Sequence, residues 1–506
     1  MFDSGDTPPL PSRIAALVHA HFDALPQRSK PHVYPDGSRE WIPMTGIVAV
    51  LSRSGAKCLS ASHIPRCRGL VLHDCHAEIL AIRAFNYWLL TECHGLLAEE
   101  KITDPSIQTD SQPNKTQPPS SPFIRKRERR NDTQTPENST EWPPFELQPG
   151  LKLYMYCTCA PCGDASMELC MASQEDATPW EVVRESSSAR SHEEMLDGRA
   201  HFSLLGIVRR KPARMDAEST RSKSCSDKLA LRQVSSLLSC GTSRLVAPTE
   251  SAYLAGLVLP ADEINATGFE RCFGERGRMK VLVGRTWAGR KEEGTIGYRF
   301  HPFEVLSVPA EEVEAQWAFA KPKNNIPVEE DGTESKAPPK SKPGNVSVIW
   351  VAAPSHAHSC AALSDTGSKS LPSLRRTTTG LFENIINGVK QGHRATTPVV
   401  RGASSLSRAK LWALVRNIAQ PSACDDLGIS GTGLADDTVL HSFQQRVLKP
   451  STYGDFKLVE SNSVDPLGVR QEAMREAKSV LKGWVRNSGD ESWGLDVLVD
   501  PQKRKR

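Results

Sequence analysis

The 506-residue sequence has no apolar run long enough to cross a bilayer, so no membrane partner is expected. It has no internal repeat, which argues against a solenoid. Its 13 cysteines are an odd number and lack the regular spacing of a disulfide framework. Met1 is followed by Asp3, Asp6 and a proline-rich turn instead of a basic and then apolar stretch, so no secretory leader is expected. A strong charge of one sign is also missing. The net charge of +4 neither demands nor excludes a nucleic-acid partner, and local clusters must decide. These absences point to a soluble, reduced, intracellular protein of the nucleus and/or cytoplasm, with thiols available as metal ligands. The basic end Lys503-Arg504-Lys505-Arg506 reads equally as a nuclear address or a solvated tail. The oligomeric state is not readable, and a monomer is compatible with the pattern.

A hydrophobic fraction of 38% supports a core, and 34 glycines with 36 prolines imply that long loops dilute it. Residues 10–25 place Ile14, Leu17, Val18 and Phe22 on one helical stripe. Residues 44–51 are a short, partly β-branched run read as a buried strand, with Ser52-Arg53-Ser54-Gly55 as the turn into a second. A helix is predicted over 76–90. A strand over 151–158 has Leu151, Leu153, Met155 and Cys157 on one face, and it runs into Pro161-Cys162. Residues 103–149 are rich in Ser, Thr, Gln, Pro and Asn and read as a disordered insertion, with a basic run at Arg125–Arg130. Residues 172–199 and 320–345 read as long loops. Further strands are predicted near 203–208, 252–259 and 346–353, and helices at 227–239, 404–418 and 468–485. The order implies an α/β fold, a layered core elaborated into one domain over 1–506.

Chemistry concentrates in three short motifs. His76-Ala77-Glu78 followed at long range by Pro161-Cys162 is the His-x-Glu…Pro-Cys pattern of zinc-dependent nucleobase deaminases. The second cysteine that usually closes the pattern is replaced by Ala165. Catalytic zinc takes three protein ligands and leaves a fourth position open, so a third ligand is required. Cys159 and Cys225 both qualify. Cys159 falls at the end of a strand. Cys225, in Ser224-Cys225-Ser226-Asp227-Lys228, opens a predicted helix whose dipole and free amides favour a thiolate, and it is the preferred candidate. Glu78, two residues past His76, is placed to move protons beside the metal without ligating it.

These motifs resemble the adenosine deaminase domain of RNA-editing enzymes, through Asp74-Cys75-His76-Ala77-Glu78-Ile79, Pro161-Cys162-Gly163-Asp164-Ala165 and Ser224-Cys225-Ser226-Asp227-Lys228. Met44–Ala49, the basic stretch Val208–Arg214 and the lack of a double-stranded-RNA-binding module point to the tRNA-specific branch. The resemblance implies a cytidine-deaminase-like mixed sheet flanked by helices. It implies zinc held by His76, Cys162 and Cys225, with Glu78 as proton shuttle. The implied reaction is adenosine to inosine in tRNA, at position 37 beside the anticodon of alanine tRNA. It also implies an enclosed inositol hexakisphosphate.

Helical spacing offers separate support for such an anion. Arg83 lies two turns below His76, and Lys228 and Arg232 continue the Cys225 face of the next helix. If those stripes are buried they need a polyanion; if they face solvent they need nothing. The resemblance adds Ile79, Lys410, Tyr453, Lys457, Lys478 and Trp493 to the anion shell, with Asp74 relaying Lys228 to the metal. The mRNA-editing relatives carry arginines at the positions of Ile82 and Leu231, and Arg232 is a substitute for one of them. Arg209, Arg210, Lys211 and Arg214 form the basic cluster expected to grip RNA phosphates. The competing readings are a cytidine deaminase, an inactive RNA-binding homologue and a structural zinc protein.

Overall fold

The computed structural model describes residues 8–48, 50–53, 59, 61–103, 121–127, 143–173, 196–198, 204–211, 218, 220–288, 297–322, 341–353, 380–420, 445–458 and 466–499. The core elements in chain order are α1 (Leu10–Asp23), β1 (Met44–Ile47), β2 (Val50–Arg53), α2 (Ala77–Thr103) and β3 (Leu153–Cys157). There follow α3 (Met167–Ala172), α4 (Cys225–Ser235), β4 (Leu254–Pro260), β5 (Glu304–Val308), β6 (Ser347–Val351), β7 (Phe382–Ile386) and β8 (Val389–Lys390). The C-terminal region adds α5 (Arg408–Ile418), α6 (Tyr453–Lys457) and α7 (Pro466–Val480).

The strands form one mixed eight-stranded sheet in the order β5-β4-β3-β1-β2-β6-β7-β8. The β5–β4 and β4–β3 pairs are parallel, and the remaining pairs are antiparallel. Helices cover both faces. On one, α1 sets Ile14, Val18 and Phe22 against Met44, Tyr156, Val258 and Val308. On the other, α2 packs Leu80, Phe85, Trp88 and Leu89 into a larger cluster with Met155, Leu229, Leu257, Trp412 and Phe456. Both faces of the central strands are therefore apolar, as coverage on two sides requires. The predicted two-faced alternation of β3 maps onto these two clusters: Leu153, Met155 and Cys157 lie in one, Tyr156 in the other.

Several expectations change. The first two strands form a hairpin in which Ile47 pairs with Val50, so the chain reverses just after Val48 instead of at 52–55. That reversal carries no glycine, proline or asparagine to mark it. Part of the stretch read as a disordered insertion is ordered: Ile124–Lys126 pairs antiparallel with Phe145–Leu147, and Ile124, Phe145 and Leu147 are buried in the main core. Three apolar side chains in a polar segment suffice to anchor it. Residues 104–120 and 128–142 lie outside the described residues. The strand predicted near 203–208 is instead the two-residue Arg209–Arg210, paired with Leu196–Asp197 from within a predicted loop. Of the other predicted loop, Lys342–Pro343 pairs with Glu40–Trp41.

Candidate metal centre and cation basin

His76 immediately precedes α2, and its carbonyl accepts the N–H groups of Ile79 and Leu80 at 3.1 and 2.9 Å. Cys225 is the first residue of α4, whose N-cap Ser224 accepts the Asp227 N–H at 3.1 Å. Cys162 precedes a short helical stretch, Asp164–Ser166, that leads into α3. Ser226 joins the two cysteine motifs: its Oγ donates to the carbonyls of Pro161 and Cys162 at 2.9 and 3.0 Å, and its N–H to the Cys162 carbonyl at 3.0 Å. Gly163 makes that approach possible. It sits at φ +112°, and a Cβ there would lie 2.2 Å from Ser224 Oγ.

The result is a cluster in which one ligand atom from each of His76, Cys162 and Cys225 lies within 4.8 Å of the others. Cys162 Sγ is 3.7 Å from His76 Nδ1. Two thiolates and an imidazole, each at or beside a helix start, fit a borderline-soft divalent cation such as zinc. Cys159 is not part of this cluster, and burial pushes its thiol far above the ordinary range. Glu78 is 7% exposed, and burial raises its carboxyl above the ordinary value.

Asp74 organises the ligands from behind. It accepts the His76 N–H at 3.0 Å, Lys211 Nζ at 2.9 and 3.2 Å, Ser222 Oγ at 2.8 Å, and Lys228 Nζ. Lys211 also donates to Cys225 Sγ at 3.2 Å. Burial alone would raise the Asp74 carboxyl, but the Lys211 and Lys228 ammoniums hold it well below its usual range. The expected link from Lys228 through Asp74 is present, and Lys211 completes it to Cys225.

This overturns the phosphate-gripping role of the Arg209–Arg214 cluster for two of its members. Lys211 is 5% exposed and engaged with Asp74 and Cys225. Arg209 is 1% exposed, and its guanidinium donates to the carbonyls of Leu204 and Gly198 at 2.6 and 3.3 Å. Both are folded into the wall of the site, where no phosphate reaches them. Arg210 is half-buried and its backbone pairs antiparallel with Lys223, and Arg214 lies outside the described residues. No local signal distinguished these cations from a solvated run.

Behind the ligands lies a basin of cations. Burial lowers Arg83 to about 10, with Arg408 adding to the effect. Burial lowers Arg232 to about 9, followed by Arg470 and Arg83. Lys478 falls to about 8 through burial, then Arg470 and Lys457. Burial and then Arg408 lower Lys457, whose Nζ lies 5.6 Å from the Tyr453 ring centroid. Tyr453 stacks on Trp493 at 4.7 Å and 11°. Asp490 answers Arg408 at 3.0 Å and Glu491 answers Lys457 at 4.0 Å. No carboxylate among the described residues pairs with Arg83, Arg232, Arg470 or Lys478. Arg470 Nε and Trp412 Nε1 are buried without a hydrogen-bond partner. The sequence reading missed Arg408 and Arg470, which carry no motif.

One expected basin residue stands apart. Lys410 donates to the Ala403 carbonyl at 2.7 Å and faces Lys390 and Glu383. Ile79 is half-buried on the first turn of α2.

The adenosine-deaminase (editase) domain family matches residues 53–117 and 123–379. The tRNA-specific adenosine deaminase 1 of Schizosaccharomyces pombe is 35% identical over 322 residues, covering 62% of this chain and 70% of the relative. The protein of the same name from Saccharomyces cerevisiae is 31% identical over 271 residues, covering 50% of this chain and 58% of the relative. The double-stranded RNA-specific editase B2 of Rattus norvegicus is 32% identical over 143 residues, covering 28% of this chain and 14% of the relative.

Proposed function

Because the chain belongs to the adenosine-deaminase (editase) domain family, we propose that it hydrolyses adenosine to inosine in tRNA, at position 37 of alanine tRNA. The observation that carries the reading is the convergence of His76, Cys162 and Cys225 beside Glu78, from three distant parts of the chain. Zinc bound there would supply the Lewis acidity that makes water a competent nucleophile near neutral pH. The protein's own groups do the rest. Lys211 donates to Cys225 Sγ and favours its thiolate form. Asp74 holds the His76 main chain and Lys211 together. The buried Glu78 carboxylate takes a proton as water adds to C6 of adenine and passes it to N1; a second proton then leaves with the exocyclic amine as ammonia. The base must leave its stack to reach this depth, which an anticodon loop permits at less cost than a duplex.

The basin fits a polyanion. Buried cations that depress one another need a counter-charge, and orphaned donors such as Arg470 Nε need an acceptor. Inositol hexakisphosphate would supply that charge, and Arg83, Arg232, Lys457, Lys478, Tyr453 and Arg470 are the residues that would hold it. With Arg209 and Lys211 engaged internally, the cations left to meet RNA phosphates near the site include the exposed Arg221, Lys482 and Arg486. Arg221 is tied to Ser488, and the Lys482 carbonyl to Val208, next to the strand Arg209–Arg210.

The test is incubation of the full chain with alanine tRNA, followed by nucleoside analysis at each loop position. Inosine at position 37 supports the proposal. Uridine formed from cytidine, or no conversion by zinc-loaded protein, removes it.

A further inference from the structure

We propose that Asp490, His73 and Arg408 form a positioning clamp that holds the segment leading into His76 in register with the two cysteine motifs. The proposal rests on the reading of His76, Cys162 and Cys225 as metal ligands. Asp490 stands 421 positions from Gly69 in the chain, yet accepts the Gly69 N–H at 3.0 and 3.3 Å on its two oxygens. Its Oδ2 lies 3.0 Å from Arg408 Nη1 and 3.0 Å from His73 Nε2, the latter off the line of an ideal hydrogen bond. Arg408 Nη2 lies 3.2 Å from His73 Nδ1. A guanidinium only donates, so Nδ1 is the acceptor and the imidazole proton sits on Nε2, facing Asp490. The three side chains close a ring in which each touches the other two.

The ring grips a short piece of chain at both ends, Gly69 and His73. Between them, the Leu72 N–H donates to the Gly388 carbonyl at 2.8 Å. Gly69 sits at φ +69°, and any Cβ there would meet the Trp493 ring at 2.1 Å, so the turn carrying Asp490 also fits this backbone by shape. Asp74 and His76 follow at once, joined by their own hydrogen bond. A slip of one residue would carry His76 and Glu78 away from Cys162 and Cys225 together. Arg408 and Asp490 both lie beyond the residues matched by the deaminase family, which end at 379. The ligand loop is thus held by a part of the chain that its own motifs do not include. A buried carboxylate held between two half-buried partners adds little stability and favours one geometry. Burial, with Arg408 next, lowers His73 to about 4, so the imidazole in the ring is neutral at working pH.

The test uses the full chain and cobalt(II) as the probe, read by thiolate charge-transfer and d–d bands, for wild type, Asp490→Asn, His73→Leu and His73→Gln. Asp490→Asn and His73→Leu are expected to weaken cobalt binding about tenfold to a hundredfold and to alter the d–d envelope. His73→Gln is expected to stay near wild type, because its amide accepts from Arg408 and donates to Asp490. In deamination assays the damaged variants should lose kcat with KM for RNA unchanged. Folded Asp490→Asn and His73→Leu proteins with wild-type affinity and spectrum would overturn the clamp. So would a His73→Gln protein as damaged as His73→Leu, or unfolding of both damaged variants, which would make the ring a stability element. Failure of wild type to bind cobalt would instead remove the metal reading on which the clamp rests.

Discussion

Replacing Lys211 by methionine separates two roles for one lysine. As a surface phosphate contact, Lys211 would contribute little to stability, within about 0.5 kcal/mol, and its loss would lower the salt dependence of RNA binding by about one counterion. The structure predicts the reverse. The lysine is 5% exposed and bonds both Asp74 oxygens and Cys225 Sγ. Removing one partner of a buried ion pair costs about 3–5 kcal/mol when the other charge is left alone. Asp74 would keep Lys228, Ser222 and the His76 N–H, so the loss should fall below that range, at about 2–3 kcal/mol. Cys225 would also lose a side-chain donor, the Lys211 ammonium, which should weaken metal binding about tenfold or more. Urea unfolding of the metal-free protein, a metal-competition titration and RNA binding across a salt series measure the three effects separately. A Lys211→Met protein with wild-type stability and metal affinity, but a shallower salt slope, would refute the buried-relay reasoning.

Glu78→Gln should lower kcat by about a hundredfold or more while zinc content by atomic absorption stays at one per chain; a variant that turns over normally removes Glu78 from the chemistry. Cys225→Ser should lose zinc, whereas Cys159→Ser should keep it, and the opposite result would hand the third position to Cys159. In anion-free protein, Lys478 has its proton affinity lowered from 10.5 to about 8 by burial and neighbouring cations. The unfolded chain then binds the proton more tightly, so the penalty is complete below about pH 8 and stability rises from there toward pH 10.5. Denaturation midpoints across that window should climb without inositol hexakisphosphate and flatten or fall when it is added; identical curves would argue against an anion in the basin.

The grouping of His76, Cys162 and Cys225 was legible because its chemistry is local. A histidine and a glutamate two apart at a helix start, a Pro-Cys after a strand, and a cysteine behind an N-capping serine each declare their geometry within five residues. Cys225 was separable from Cys159 on one ground, a helix N-terminus against a strand end, and it is Cys225 that the fold brings beside His76 and Cys162. The long apolar and alternating runs likewise marked α1, α2, β3, β4 and β6. The hairpin after Val48 was not legible, because its reversal carries no turn residue. Nor were the strands at Ile124–Lys126 and Phe145–Leu147, whose few apolar side chains are diluted by a polar segment.

By itself, the sequence determined which residue types were available to bind a metal and move a proton, since those demands act on neighbouring side chains. Only the tertiary structure decided which cations are buried. The string Arg209-Arg210-Lys211 reads the same whether it faces water or Asp74 and Cys225, because exposure depends on what the rest of the chain stacks against it. The ring of His73, Arg408 and Asp490 was beyond reach for the same reason. His73 is hundreds of positions from the other two, and only the packing of α5 and the C-terminal turn against the loop before His76 brings them together.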